Sequence, residues 1–187
     1  MSEKSVSLRF LWLAALALVF AVREVPGQTA CDCDPARPET MQPRQCSLCQ
    51  EAEKQSGTEL FFLKDISPRK PNRWLALPRR HDAGQHHLHE MTKSERTALW
   101  KGAIARAKEL WGEEWGLAYN GSKVRTQCHA HIHIGKLLKY VETDRFVVVS
   151  RPEDFPAPAF EGVWVHPMGG KYHVHLGEQT TETVLLR

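Results

Sequence analysis

The sequence has little net charge, no long apolar segment and no internal repeat, and each absence excludes a class of protein. Lys and Arg number 25 against 22 Asp and Glu, and a formal charge of +3 is too small for a protein that coats nucleic acid. No apolar run reaches the roughly 20 residues of a membrane-spanning helix. With 42% hydrophobic and 25% charged residues, the 187-residue chain has the composition of one globular domain, which excludes disordered, fibrous and polytopic membrane proteins.

The N-terminus has the pattern of an export signal. Two cations precede an apolar run of 13 residues at 10–22, a length typical of the core of a signal peptide. The small residues that follow form a weak cleavage site, and Cys31 directly after Ala30 is a candidate for a lipid anchor. We therefore predict a signal peptide or membrane anchor at residues 1–30 and a single exported domain, in the periplasm or at the cell exterior, at residues 31–187.

The remaining pattern predicts an α+β fold. Thr92-x-x-Glu95 is a capping box, and the apolar residues after it recur at helical spacing, so a long helix is expected from Thr92. A Cys-rich arm at residues 31–49 and a short helix at residues 47–55 precede it. Strands are predicted at residues 59–66, 73–77, 115–119, 128–134, 145–149, 162–165 and 172–176. The expected architecture is one long helix packed on a mostly antiparallel sheet.

Histidine is the unusual component, because its ten residues fall in three clusters. The clusters span residues 81–89, 129–133 and 166–175. On a strand over residues 128–134, His129, His131 and His133 would share one face, and apolar side chains the other. Packing explains three such imidazoles poorly, since each needs its own hydrogen-bond partners. The row suits either a metal site or nucleophilic catalysis by a neutral imidazole, and spacing alone does not choose between them.

The segment around this row resembles the histidine-triad superfamily of nucleotide hydrolases and transferases. His129-Ala-His131-Ile-His133-Ile carries the alternating motif, and Asn120 stands nine residues before its first histidine. Within the superfamily, the Arg125-Thr126-Gln127 run before the motif is most similar to the CDP-diacylglycerol pyrophosphatase family. The resemblance implies a histidine-triad-like domain with extra strands at its C-terminal end.

The resemblance also implies a two-step hydrolysis of a nucleotide-linked pyrophosphate. His131 would attack the nucleotide-side phosphorus, and water would then release a nucleoside monophosphate from the nucleotidyl-histidine. His129 and His133 would orient His131 and shuttle the proton of the leaving group. The implied substrate contacts are Asn120, Arg125, Thr126 and Gln127. This chemistry rests on positioning and charge stabilisation and requires no metal cofactor.

The substrate class stays open at this stage. CDP-diacylglycerol, which would give CMP and phosphatidate at a membrane surface, is the leading candidate. The alternative is a histidine-triad enzyme that hydrolyses a soluble nucleotide or transfers its nucleotidyl group. A third hypothesis is a non-enzymatic metal-binding module built from the histidine clusters.

The cysteines allow two explanations. Four of the five lie in the arm: Cys31, Cys33, Cys46 and Cys49. In an exported protein they would form two disulfides, and the resemblance implies that Cys33 pairs with Cys46. Alternatively, Cys46 and Cys49 with His81 and His129 resemble the structural zinc tetrad of another branch of the superfamily. Cys128 is expected to be a buried free thiol.

The other histidines are weaker candidates. His86, His87 and His89 share no helix or strand face, which favours a solvated loop. His173 and His175 alternate on a predicted strand and form a second H-x-H pair, although edge strands often carry exposed polar residues.

Overall fold

A computed structural model describes residues 31–57, 60–80 and 87–187. The predicted leader at residues 1–30 lies outside this part of the chain, and so do His81 and His86. Within the described residues, no helix combines the length and the apolar character needed to cross a membrane.

Seven strands form one sheet, and a long helix packs on it. The strands are β1 (Leu60–Lys64), β2 (Trp74–Pro78), β3 (Trp115–Tyr119), β4 (Ile132–Lys136), β5 (Phe146–Val149), β6 (Val163–Met168) and β7 (Lys171–Leu176). The α-helices of the described residues are α1 (Ser47–Glu53) and α2 (Lys93–Trp111). The strand order is β1-β2-β4-β3-β6-β7-β5, and every pairing in it is antiparallel. The predicted α+β class is therefore confirmed.

Helix α2 begins at the predicted capping box. The Thr92 hydroxyl accepts a hydrogen bond from the Glu95 backbone N–H, and the Glu95 carboxylate accepts one from the Thr92 N–H at 2.7 Å. The buried side chains of the helix are Leu99, Trp100, Ala103, Ile104 and Ala107, and they pack with residues of β2, β3 and β4. Burying the larger of these side chains contributes about 1.5–3 kcal/mol each, which holds the helix on this face of the sheet.

The strand that carries the histidine row is shorter than predicted. The sequence pattern placed a strand over residues 128–134, but β4 begins at Ile132, so His129 and His131 lie in the connection between β3 and β4. The reason is that Cys128 is tied to other partners: its N–H donates to the Gln45 carbonyl, and its own carbonyl accepts from Arg125 Nη2 at 3.2 Å. Of the three histidines, only His133 therefore lies on a strand, and strand alternation does not determine the directions of His129 and His131.

The disulfide pattern agrees with one prediction and corrects two. Cys33 pairs with Cys46, as the resemblance implied, but the second bridge joins Cys31 to Cys128 across 97 residues. The prediction of a second bridge inside the arm is therefore wrong, and so is the prediction of a free Cys128 thiol. Cys49 is the free cysteine and is completely buried.

Candidate active site

The candidate site lies where the β3–β4 connection meets the C-terminal segment. His131 is the last residue before β4, His133 lies within β4, and Asn120 directly follows β3. The pairing of Ala118 with His133 brings the ends of β3 and β4 together. A 3₁₀ turn at Thr181–Val184 adds residues from the far end of the chain. Three separate segments thus supply the side chains of one site.

The ring of His131 is held by the backbone of its own segment. Its Nδ1 lies 2.8 Å from the carbonyl oxygen of His129. Because a carbonyl can only accept, Nδ1 carries the proton and Nε2 carries a lone pair. In the described part of the chain, no group hydrogen-bonds to this Nε2. Burial lowers the pKa of His131 to about 4. The imidazole is therefore neutral at neutral pH, which is the form that acts as a nucleophile.

His133 packs edge-on against His131 and is fixed by Asn120. The two ring centroids are 4.9 Å apart at an interplanar angle of 78°. Asn120 Oδ1 accepts from the Glu182 N–H at 3.1 Å and the Thr181 hydroxyl at 3.3 Å, which directs its amide Nδ2 toward His133 Nε2 at 3.5 Å. Donation to Nε2 leaves the proton of His133 on Nδ1, which faces Glu182 Oε2 at 3.7 Å. Burial holds the pKa of His133 well below its usual value.

Glu182 is the anionic group of the site, and two cations hold it. Its Oε2 accepts from Lys70 Nζ at 2.5 Å and from Arg73 Nη1 at 2.8 Å. Burial alone would raise the pKa of Glu182, but His133, Lys70 and Arg73 together lower it to about 2. The carboxylate is therefore ionised at neutral pH. Sequence reasoning missed Glu182, Lys70 and Arg73, because no motif or spacing links these positions to the histidine row.

His129 contributes to the site through its backbone. Its carbonyl fixes His131, whereas its fully buried ring donates from Nε2 to the carbonyl of Pro78 at the end of β2, at 2.7 Å. The ring thus anchors the β3–β4 connection to the neighbouring strand. These contacts support the predicted role of His129 in orienting His131, and its role in proton transfer stays a prediction.

Arg125 lies close enough to the histidine row for its charge to act there. Burial is the largest cause of the lowered pKa of His131, and the positive charge of the Arg125 guanidinium lowers it further. Its Nη1 contacts His87 Nδ1 at 3.0 Å and donates to the Tyr119 hydroxyl. Arg125 therefore braces the connection from inside the protein, and a phosphate contact by this side chain stays a prediction.

The two residues between Arg125 and Cys128 differ in their surroundings. The Gln127 side chain is half-buried, and its Oε1 accepts from the Ser47 hydroxyl of α1 at 2.9 Å. Thr126 is exposed. Substrate contacts by both residues stay predictions.

The predicted zinc tetrad of Cys46, Cys49, His81 and His129 is not formed. The sulfur of Cys46 is bonded to Cys33, so it is not available as a thiolate ligand. His81 lies outside the described residues. The sulfurs of Cys33, Cys46 and Cys128 lie within 4.8 Å of one another, but all three belong to disulfides.

Comparisons with known proteins give no assignment of activity. No family model matches the chain, and no curated protein matches it significantly. Among solved structures, the chain is similar to a DUF4931 family protein from Bacillus cereus, with 13% sequence identity and a TM-score of 0.49. The alignment covers 67% of this chain and 84% of the other. A likeness this distant carries no functional argument.

We expect the free energy of unfolding to fall as the pH drops from about 6.5 to 4. The pKa of His131 is about 4 in the folded protein, where Arg125, Glu182 and Asp65 are the charges that act on it, and near 6.5 in the unfolded chain. In this window the unfolded chain binds a proton that the folded chain does not, so acid favours unfolding. The share of His131 is about 3 kcal/mol over the window, at about 1.4 kcal/mol per pH unit.

Urea unfolding of the wild type and of His131→Asn across this range tests the effect. The variant keeps the other buried histidines, so its pH slope should be smaller by about one proton. Equal slopes in the two proteins would contradict a buried, neutral His131.

Proposed function

We propose that this chain is an exported histidine-triad hydrolase that cleaves a nucleotide-linked pyrophosphate. The preferred reaction is CDP-diacylglycerol and water to CMP and phosphatidate. The observation that carries the proposal is the tautomer of His131: its Nδ1–H donates to the His129 carbonyl, which leaves a buried, neutral ring with a free lone pair on Nε2. This is the arrangement that nucleophilic attack on phosphorus requires.

In the first step, Nε2 of His131 bonds to the nucleotide-side phosphorus. The bond from that phosphorus to the bridging oxygen breaks, and phosphatidate leaves with the electron pair. The ring becomes a phosphorylated imidazolium, whose positive charge is stabilised by the Nδ1–H bond to the His129 carbonyl at 2.8 Å. In the second step, water attacks the same phosphorus and gives a proton to Nε2 of His133, which lost one in the first step. The P–N bond breaks, and CMP is released with the neutral ring of His131 restored.

His133 is the residue best placed to manage the proton of the leaving group. A bound phosphate adds negative charge beside its ring and raises its affinity for a second proton. The ionised Glu182 at 3.7 Å from Nδ1 holds the proton on that nitrogen, so Nε2 can donate to the departing oxygen. Asn120, which contacts Nε2 at 3.5 Å, can turn its amide N–H to the incoming phosphate.

Two observations support the location and the lipid. Disulfides persist in oxidising compartments, and the chain has two, which suits export and agrees with the predicted leader. Val124 within the β3–β4 connection and Phe160 beside it expose 37% and 62% of their surface. Asn120, Ser122 and Val124 all belong to this connection. The Ser122 N–H donates to the Phe160 carbonyl at 3.0 Å, which places Phe160 next to it. Exposed apolar side chains at this place suit acyl chains or a membrane surface.

Hydrolysis of CDP-diacylglycerol in detergent micelles made up in ¹⁸O-labelled water tests the proposal with the purified mature protein. Attack on the nucleotide-side phosphorus puts the label into CMP and leaves phosphatidate unlabelled. Label in phosphatidate, or release of CDP with diacylglycerol, would place the attack elsewhere and contradict the role of His131.

The matched control substrate is CDP-glycerol, which has the same pyrophosphate without acyl chains. We expect it to be cleaved at least about tenfold more slowly, the equivalent of about 1.4 kcal/mol. Equal rates would favour the alternative, a histidine-triad enzyme that acts on soluble nucleotides.

A further inference from the structure

A second group of histidines lies on the same face of the sheet as His133, away from the candidate active site. Across the register, His133 of β4 lies opposite Ala118, Ala118 opposite Trp164, and Trp164 opposite His175 of β7. Three strand spacings separate His133 from His175, about 14 Å. The two groups are therefore neighbours on one face but do not share a ligand.

Four potential ligand atoms converge at this second place. His166 on β6 and His173 and His175 on β7 meet Glu142 from the β4–β5 connection, and their ligand atoms all lie within 4.8 Å of one another. This group is called the Glu142 cluster below. In the sequence, His173 and His175 are only weak candidates, because exposed polar residues are common on edge strands. The contribution of Glu142 and the pairing of β6 with β7 are not visible in local spacing.

The distances within the Glu142 cluster fit one small metal ion. His166 Nε2 lies 3.3 Å from His175 Nε2, and His175 Nε2 lies 3.4 Å from Glu142 Oε1. Zinc–nitrogen bonds of about 2.0–2.1 Å at tetrahedral angles place neighbouring ligand atoms about 3.3 Å apart. Glu142 Oε2 lies 2.9 Å from His166 Nε2, and Glu142 Oε1 lies 2.7 Å from His173 Nδ1. These two contacts are about 0.4 and 0.6 Å shorter than that spacing, so the carboxylate must move back by this amount to admit an ion.

The outer nitrogens of the rings have partners of the kind that metal-binding histidines use. His166 Nδ1 donates to the Pro167 carbonyl at 3.2 Å, which leaves the lone pair on Nε2 directed into the cluster. His175 Nδ1 lies 2.9 Å from the Thr143 hydroxyl. When this Nδ1 donates to Thr143, the lone pairs of both Nε2 atoms face each other at 3.3 Å, and a cation between them relieves their repulsion.

The rings are also held rigidly. His175 is fully buried and stacks on Trp164, with centroids 3.6 Å apart and planes 5° apart. His173 stacks on Phe146 at 4.4 Å. A cavity of about 750 Å³ borders Glu142, His166 and His173, which gives an ion a path from solvent.

We propose that Glu142, His166, His173 and His175 bind one divalent transition-metal ion of the zinc type. Three imidazole nitrogens and one carboxylate are ligands that zinc accepts, whereas calcium and magnesium prefer oxygen. Four protein ligands fill a tetrahedral shell, so the ion has a structural role. It fastens the β4–β5 connection to β6 and β7 and takes no part in the reaction at His131.

Metal binding is tested on the mature protein after dialysis against a chelator. Addition of Zn²⁺ should restore about one ion per chain, measured by mass spectrometry, and raise the melting temperature. Addition of Co²⁺ should give the visible absorption of a four-coordinate site. Glu142→Ala and His173→Ala, at the more exposed positions, should each weaken Zn²⁺ binding more than about tenfold, and Thr143→Val about 10- to 100-fold.

Two variants serve as controls. His89→Ala removes an exposed histidine elsewhere, and Cys49→Ala removes the free thiol; both should bind Zn²⁺ like the wild type. Failure of the chelated protein to bind Zn²⁺ or Co²⁺ would overturn the proposal. Unchanged binding in both Glu142→Ala and His173→Ala would overturn it too, and loss of binding in Cys49→Ala would move the site to the arm. Far-ultraviolet circular dichroism verifies that each variant folds.

Discussion

Replacement of His131 by alanine is expected to lower the hydrolysis of CDP-diacylglycerol by at least about a thousandfold, with the fold intact. The reason is that, in the proposed mechanism, Nε2 of His131 forms the covalent bond to phosphorus, so the variant lacks the nucleophile. Among the described residues, the ring makes one hydrogen bond, to the carbonyl of His129, so its removal leaves that acceptor to a water molecule. The rate constant for release of CMP and the circular dichroism spectrum are measured together.

Two further variants test whether the loss of activity is specific to His131. His133→Ala should lose less activity than His131→Ala, because a poorer proton donor slows the departure of phosphatidate without removing the nucleophile. His89→Ala, at an exposed position, should hydrolyse the substrate like the wild type. Activity of His131→Ala within about tenfold of the wild type would exclude a covalent role for this residue.

Most of the fold could be predicted because its signals are local. Helix α2 was predicted from Thr92 and begins one residue later, at Lys93, with Thr92 as the N-cap of the capping box, and β3 has the predicted bounds. The bounds of β4 could not be predicted, because the alternation of apolar residues and histidines continues through residues 128–131. The disulfide to Cys31 and the hydrogen bonds of Cys128 take that stretch out of the sheet, and both depend on residues far away in sequence.

The site could be predicted in part, because some of its residues lie close together in the sequence. A compact run of residues contains His131 and His133, and the resemblance extends to Asn120. The cluster around Glu182 depends on a C-terminal segment that folds back over the sheet, with Leu137 and Leu185 forming an isolated bridge between the two segments. A local sequence pattern contains no information about a contact between residues so far apart in the chain. The charge that faces His133 therefore emerges only from the three-dimensional fold.

Arg73→Met is expected to lower the free energy of unfolding by about 3–5 kcal/mol and to reduce activity as well. Arg73 is 1% exposed and holds the C-terminal segment with four donated hydrogen bonds. Its Nη2 donates to the carbonyls of Glu182 and Leu185 at 2.7 Å, its Nε to the carbonyl of Leu186 at 3.0 Å, and its Nη1 to the Glu182 carboxylate. Methionine fills a similar volume but leaves these buried and partly buried acceptors without their donor.

The matched control is Arg151→Met, which removes an exposed arginine paired with Asp154 three residues away. Such a surface pair contributes about 0–1 kcal/mol, so urea unfolding should scarcely distinguish this variant from the wild type. If Arg73→Met unfolded at the same urea concentration as Arg151→Met, the buried arginine would not hold the C-terminal segment.

Arg73→Lys separates the charge of the side chain from its shape. Lysine keeps the positive charge beside Glu182, but its single ammonium group cannot reach three carbonyls and a carboxylate as the planar guanidinium does. We therefore expect a loss of stability between those of Arg151→Met and Arg73→Met. Activity should follow the same order, because the Glu182 N–H orients Asn120, and Asn120 in turn contacts His133. A lysine variant with wild-type stability and activity would mean that charge alone organises this end of the site.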